Sequence, residues 1–439
     1  MTRFACLPGL LLASLALPAQ DSLTLDRAVE LALKNNRQVK AAAIEVEKAG
    51  DQVAATRTHR LPQFQFNAFG SQLLTRLDFL FPRGAFGVFR GIGPVPGSDT
   101  NITTPRRPSL FLYGTVSQPL SQLHKIGLGV HLQQLTRDLD REKMEQARQN
   151  VANSVKKIYY GLAQTQSALD ATMESIKLYT EIDRVVGESL TEQVVLKADS
   201  LDVKANLAKA QYTSVTLRNN MATLREQLND AMGRDLRVEF RVDAASDSVL
   251  FQVDLEPARA RALEQRPEVR QARIRIRQAE YDRSLKKAEY IPDVSFNFSY
   301  LSPFSISVVP KNIASAGLMV TWDVFDWGRK KHELGMKDKT IDQAKLDLEE
   351  TQAQILMEVD TRARKLEESR ALLKVTQLGM DAAQEKVRVA SNRYSEKAAL
   401  LKDVLQTQTV LADSSYQYQQ ALAGFWTARA DFEKALGER

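Results

Sequence analysis

From Leu23 to Arg60 apolar residues recur at helical spacing: Ala28, Leu31, Ala32, Val39, Ala42, Ala43, Val46, Ala49 and Val53. They form a narrow stripe of small side chains suited to close helix packing. At Pro62 the period changes from helix to strand, and Phe64, Phe66 and Ala68 alternate with Gln65 and Asn67. Such alternation predicts a strand with one apolar and one polar face. A returning strand is expected near Leu110–Leu120, then a helix from about Lys125 to Glu192, a turn near residue 193, and a helix from Asp199 to Met232. The same switch recurs at Ile291-Pro292. Beyond it Val294, Phe296, Phe298 and Tyr300 alternate with Ser295, Asn297 and Ser299, and on the returning segment Leu318, Val320, Trp322 and Val324 share a face.

The recurrence is a tandem repeat, and self-similarity at a fixed displacement decides the architecture. LTLDRAVELALKNNRQV, from Leu23, aligns with VDLEPARARALEQRPEV, from Val253, at a displacement of 230 residues that holds through Phe66 and Phe296. Further on, AMGRD at Ala231 aligns with ALGER at Ala435 at a displacement of 204, which also pairs Asp199 with Asp403. One insertion of 26 residues, within Arg76–Pro108, accounts for the difference. Each repeat reads as helix, strand, loop, strand, long helix, turn and helix, with the first over residues 21–235, the second over 253–439, and a linker at 236–252. The long helix of about 68 residues would extend roughly 100 Å, and the two shorter ones, laid end to end beside it, would match that length.

Composition sharpens this picture. Gly and Pro are few, at 20 and 14 of 439 residues, and Ala, Gln, Glu, Lys, Leu and Arg fill long tracts, as in a mostly helical chain rather than an α/β enzyme. The 60 basic residues are interspersed with 54 acidic ones, which describes a solvated surface and excludes a nucleic-acid footprint. Residues 1–20 carry an early Arg, an apolar run and a small residue at Ala19, the pattern of a cleaved secretory signal. The single cysteine, Cys6, lies within it, so the mature chain would hold no thiol. No later apolar run is long enough for a membrane helix, but amphipathic strands can still enter a membrane as a closed barrel. Four strands cannot close one, so the barrel would be shared between chains.

The LTLDRAVELALKNNRQV stretch, the two helix-Pro-strand junctions, the tandem repeat and the DxL segments near each turn together resemble the TolC-type outer membrane efflux proteins, over essentially the whole mature chain. The resemblance implies a homotrimer in the outer membrane of a Gram-negative-type cell. Four strands per chain would make a 12-stranded β-barrel, continued across the periplasm by an α-helical barrel. Implied partners are outer membrane lipid, a periplasmic adaptor (membrane fusion) protein and an inner-membrane transporter. No catalysis, metal or cofactor is expected. Phe64, Phe66, Phe296 and Phe298 are then expected on the membrane side of the barrel. At the helical turns the resemblance implies adaptor-docking tips at Gln193, Val194, Val195 and Leu196, and at Lys397, Ala398, Ala399 and Leu400. The family usually has a glycine at each tip, and this chain has Gln193 and Lys397 there instead. A periplasmic gate is implied at Asp403, with Gln406 replacing a second acidic ring, and with Tyr394 and Asp199 as linking partners. Three carboxylates facing one narrow lumen would repel, raising their pKa and attracting cations. The plainer reading makes Asp199 and Asp403 helix N-caps.

Other candidates carry little chemistry. His59, His124, His131 and His332 lack Cys or carboxylate partners at ligand spacing, and the methionines are too scattered for a copper or silver relay. GIGPVPG, from Gly91, reads as loop punctuation rather than a phosphate cradle. The insertion, with Arg76, Arg83, Arg90, Arg106 and Arg107, reads as a disordered or solvated lid, the alternative being contact with anionic head groups. The expected function is therefore the exit duct of a tripartite system exporting small toxic compounds or drugs. The alternatives are the duct of a type I protein secretion system and, more remotely, a periplasmic coiled-coil scaffold.

Overall fold

A computed structural model describes residues 22–72, 74–103, 108–191, 196–243, 254–304, 310–396 and 398–439. In chain order the first repeat comprises β1 (Ser22–Leu23), α1 (Leu25–Asn35), α2 (Arg37–Thr58) and β2 (Gln63–Gln72). Next come β3 (Asp78–Phe81), β4 (Val88–Phe89), β5 (Gly93–Pro94), β6 (Thr100–Thr103), β7 (Pro108–Pro119), α3 (Gln122–Thr191) and α4 (Lys197–Ala231). After β8 (Arg241–Val242) the second repeat follows as α5 (Leu255–Gln265), α6 (Pro267–Ala288), β9 (Asp293–Phe304), β10 (Ile313–Thr321), α7 (Arg329–Ser395) and α8 (Leu401–Ala435). The chain is thus mostly helical, as its composition implies, with helices of 70 and 67 residues at α3 and α7.

The chain folds as two compact units. The first takes the described residues of Met1–Glu47, Asp138–Arg275 and Lys345–Arg439, and is helical apart from the short parallel pair β1·β8. Its cores follow the repeats. In one, Leu23, Ala28, Ala32 and Val39 pack with Val151, Val155, Tyr159, Leu162 and Leu228. In the other, Ala258, Ala262 and Val269 pack with Ile355, Val359, Phe425, Trp426 and Phe432. Small residues on the short helices meet large ones on the long helices, so the narrow alanine stripe buries itself by close approach.

The opening helix differs from expectation, because it is two helices broken at Asn36. Asn36 has ψ 135°, outside the helical range, and its Oδ1 accepts the Gln38 N–H at 2.8 Å, starting α2. In the second repeat the break falls at Arg266, and Pro267 explains it, since a residue before proline is pushed out of the helical region. The end of α4 meets this break rather than the start of the opening helix: Asn36 Nδ2 donates to Ala231 O at 2.9 Å. The simple end-to-end stacking is corrected accordingly.

The second unit, Lys48–Arg137 with the described residues of Ile276–Ala344, holds the large sheet. Four antiparallel strands run in the order β10-β9-β7-β2, so β7 and β9 join the repeats. Strand β10 ends at Thr321, which leaves Trp322 and Val324 beyond it. The insertion is not featureless: β3 pairs with β6 and β4 with β5 in a hairpin nested within a hairpin, and part of GIGPVPG is β5. Arg106 and Arg107 lie outside the described residues.

Candidate functional site

Side chains directly opposite each other across a β ladder share a face, so the strand pairings assign both sides of the sheet. One side takes Phe64, Phe66 and Ala68 from β2, with Leu110, Leu112 and Val116 from β7. The same side continues with Phe296, Phe298 and Tyr300 from β9, and Ala316, Leu318 and Val320 from β10. The other takes Gln63, Gln65, Asn67, Thr115, Ser117, Ser295, Asn297, Ser299 and Ser315. The polar side also carries Tyr113, Leu301 and Met319, and toward the β2–β7 connection it is interrupted by Phe69 and Phe111, whose ring centroids are 6.4 Å apart. The pair explains why β7 alternates less cleanly than β2 in sequence. A sheet in a soluble domain buries its apolar face, yet here Phe64 is 78% and Phe66 70% exposed. Among the described residues nothing covers that face. Strands β2 and β10 form the two edges and have no further strand beside them among the described residues.

The turns between α3 and α4 and between α7 and α8 hold the other candidates. Gln193, Val194, Val195 and Lys397 lie outside the described residues; Leu196, Ala398 and Leu400 are exposed, and Ala399 is half-buried. Asp199 and Asp403 are not N-caps. Leu196 and Leu400 occupy the cap positions, and each aspartate is the third helical residue. The Asp403 carboxylate accepts the Leu400 N–H at 3.1 Å, which satisfies a helix-end donor and places negative charge where the helix dipole favours it. Val203 and Leu405 share a buried cluster with Tyr179, Val186 and Ala210, which brings the second turns of α4 and α8 together. Tyr394 is exposed. Asp403 and Gln406 begin an exposed stripe that continues through Val410, Asp413 and Gln417. Asp413 falls on this stripe by the i, i+3, i+4 spacing that sets one face of a helix.

Two repeat-related joints hold the helices that carry these turns. At the end of α4, Gly233 has φ 66°, and a Cβ there would lie 2.7 Å from Asn35 O. At the end of α8, Gly437 has φ 92°, and a Cβ there would lie 3.0 Å from the Gln265 carbonyl carbon. Where Asn36 binds Ala231 O, its counterpart Arg266 binds Ala435 O at 3.4 Å. Burial opposes the Arg266 charge, but Glu268 at 2.9 Å and Glu358 at 3.0 Å outweigh it and raise its pKa. Nearby, Arg259 donates to both oxygens of Asp360, at 2.9 and 2.7 Å, and holds that carboxyl below its usual range. Burial, with Glu433 adding to it, pushes the Tyr160 phenol up to about 12. Tyr159 OH donates to Leu23 O at 2.9 Å and accepts the Asp243 N–H at 3.1 Å, tying residues 241–243 to the helices. The expected linker is anchored in this part, and its residues 244–252 lie outside the described residues.

These groups stabilise a shape rather than assemble a reactive centre. Among the described residues no group of three His, Cys, Asp or Glu is placed to hold a metal ion, and no helix is long and apolar enough to cross a membrane. Known proteins share the architecture. The Campylobacter jejuni CmeC outer membrane channel superposes with a TM-score of 0.75 at 17% identity, over 94% of this chain and 85% of that one. The open state of the Neisseria gonorrhoeae MtrE outer membrane channel gives a TM-score of 0.73 at 15% identity, over 94% and 89%. In sequence, an uncharacterised protein of Haemophilus influenzae is 23% identical over 434 residues, covering 94% of this chain and 88% of its own. The toxin and drug export protein A of Aggregatibacter actinomycetemcomitans is 23% identical over 293 residues, 64% of this chain and 62% of that protein. The sequence model of outer membrane efflux proteins matches residues 28–234 and 258–438. With most of the chain matched in two successive segments, the protein belongs to the outer membrane efflux protein family.

Proposed function

We propose that three copies of this chain form a passive exit duct in the outer membrane, extended into the periplasm by their helices. The observation that carries this reading is the four-stranded sheet, with one apolar face uncovered, one mainly polar face, and two open edges. Open edges and uncovered apolar faces are both satisfied at once when sheets from several chains close into a lipid-embedded barrel. Three such sheets supply twelve strands. The apolar face with Phe64, Phe66, Phe296 and Phe298 then meets lipid, and the face with Gln65, Asn67 and Asn297 lines the pore. A coiled-coil scaffold has no use for such a sheet.

The helical turns, Leu196 to the start of α4 and Ala398–Leu400 before α8, serve as docking tips for a periplasmic adaptor, which links the duct to an inner-membrane transporter. Asp403 and Gln406, from each of three chains, line the periplasmic constriction, with Tyr394 and Asp199 as linking groups between helices. Cargo is small toxic compounds or drugs, a reading supported by the name of the toxin and drug export relative. The same name includes a toxin, which favours protein secretion as the second reading. Neither the duct nor its gate supplies energy.

Planar-bilayer recording of the detergent-extracted protein tests this. Discrete channels are expected, blocked by divalent cations from the helical side, and Asp403→Ala should weaken that block several-fold. Release from membranes by salt or alkali alone, without channels, would overturn the duct; channels whose block ignores Asp403→Ala would overturn the gate.

A further inference from the structure

The two open edges of the sheet are related by the internal repeat. Strand β10 is the counterpart of β7 at a displacement of 204 residues, and β9 is the counterpart of β2 at 230. The ladders obey both numbers together: Gln63 pairs with Ser117 in the first repeat, and Asp293 with Thr321 in the second. One seam between repeats is already formed within the chain, β7 against β9, with Val116 opposite Phe298 and Gln118 opposite Phe296. The corresponding seam on the other side, β10 against a β2, lacks its partner strand. Since the two halves of the sheet are copies, the formed seam specifies how the missing one is made.

We infer that β10 pairs antiparallel with β2 of a second copy of this chain, with Thr321 opposite Asn67, Val320 opposite Ala68 and Trp322 opposite Phe66 of that copy. This rests on the duct reading and adds the register, which that reading leaves free. Parity supports it: Val320 and Ala68 both lie on the apolar face, whereas Thr321 and Asn67 lie on the polar one. A slip of one residue would exchange the faces. Size supports it too. Leu318 and Val320, 68% and 62% exposed in the single chain, fall opposite Gly70 and Ala68, where β2 has its small side chains. Strand length is the third observation. Paired on both sides, β7 runs to Pro119, whereas β10 stops at Thr321, two residues short of the equivalent Asp323. Pairing with a second copy extends β10 through Trp322 and Asp323.

The seam between copies also differs in chemistry from the seam within the chain. Within the chain, Ser121 Oγ donates to Pro292 O at 2.7 Å and accepts the Val294 N–H at 2.8 Å. Phe325, 72% exposed, stands where Ser121 would be. The polar latch is thereby exchanged for an aromatic ring beside Pro62 of the second copy.

Cysteine pairs in a Cys6→Ala chain test the register. Thr321→Cys with Asn67→Cys samples the polar face, and Val320→Cys with Ala68→Cys the apolar one. Both are needed because neighbouring antiparallel pairs alternate between close and wide spacing. Mild oxidation in membranes is expected to turn at least one pair into a covalent trimer on denaturing gels. Thr321→Cys with Ala68→Cys, which face opposite sides, is expected to stay unlinked. Linking by the mismatched pair alone, or by none in a protein that still forms channels as a trimer, overturns the register and leaves the duct standing. A chain released from membranes without detergent overturns both.

Discussion

Asp360 shows how single residues set the stability of the helical unit. Arg259 on α5 contacts both of its oxygens from across the helix packing, and those hydrogen bonds lower its pKa in the folded protein. A depressed carboxylate contributes stability that is fully present above the unfolded value of about 3.9 and is lost as pH falls through the lower folded value. Asp360→Asn should therefore lower the melting temperature at pH 7, and its difference from the unaltered protein should shrink to nothing as the pH is taken down through that folded value. Thermal unfolding followed by circular dichroism in detergent, across this range, checks it; a difference constant with pH would reject the ion pair as its source. Such a partnership was not legible in sequence, because 101 residues separate the two groups. The break at Arg266 was legible in part, since Pro267 marks it, whereas Asn36 breaks its helix through side-chain bonds that a periodic stripe conceals.

At the scale of elements, the strands and long helices followed from periodicity, because each buries or exposes one face consistently. What periodicity could not show was where elements abut. The joints at Gly233 and Gly437 depend on left-handed backbone and on close approach to a carbonyl some 200 or 170 residues away. AMGRD and ALGER carried the signal as a shared glycine, yet only the structure shows the close approach behind it. Gly233→Ala is expected to destabilise the folded protein by about 1–2 kcal/mol from the left-handed conformation alone, with a further cost from the 2.7 Å approach to Asn35 O. Gly437→Ala should act in the same direction but less, because its nearest atom is 3.0 Å away. Melting temperatures of the two variants, side by side, test the ordering; equal and negligible shifts would show that the joints give way freely.

For the whole molecule, the departure from repeat symmetry is a single insertion, and displacement arithmetic located it while composition misjudged its order. Glycine, proline and arginine suggested a loose lid, but β3·β6 and β4·β5 pair within it. Local pairing of this kind needs only a few alternating residues between turns, too short a pattern to stand out from loop sequence. The second repeat joins β9 to β10 through residues 305–312 and still forms its ladder over nine paired residues. The nested hairpin is therefore dispensable for the sheet. Its base supports this: Asp78 and Thr103 are partners across β3 and β6, so their backbones lie about 5 Å apart, and removing Asp78–Thr103 leaves ends that a short turn can join. On the trimeric duct proposed above, a chain with that excision should insert into the outer membrane, assemble as the unaltered chain does, and support export, read as unchanged resistance of cells to detergents and antibiotics. Loss of the trimer would make the hairpin part of the barrel's assembly. A stable trimer with impaired resistance would instead assign it to the exit of cargo, where Phe79, Phe86 and Phe89 are exposed. The internal repeat favours the first outcome, because the half of the sheet without a hairpin is already a working precedent within the same chain.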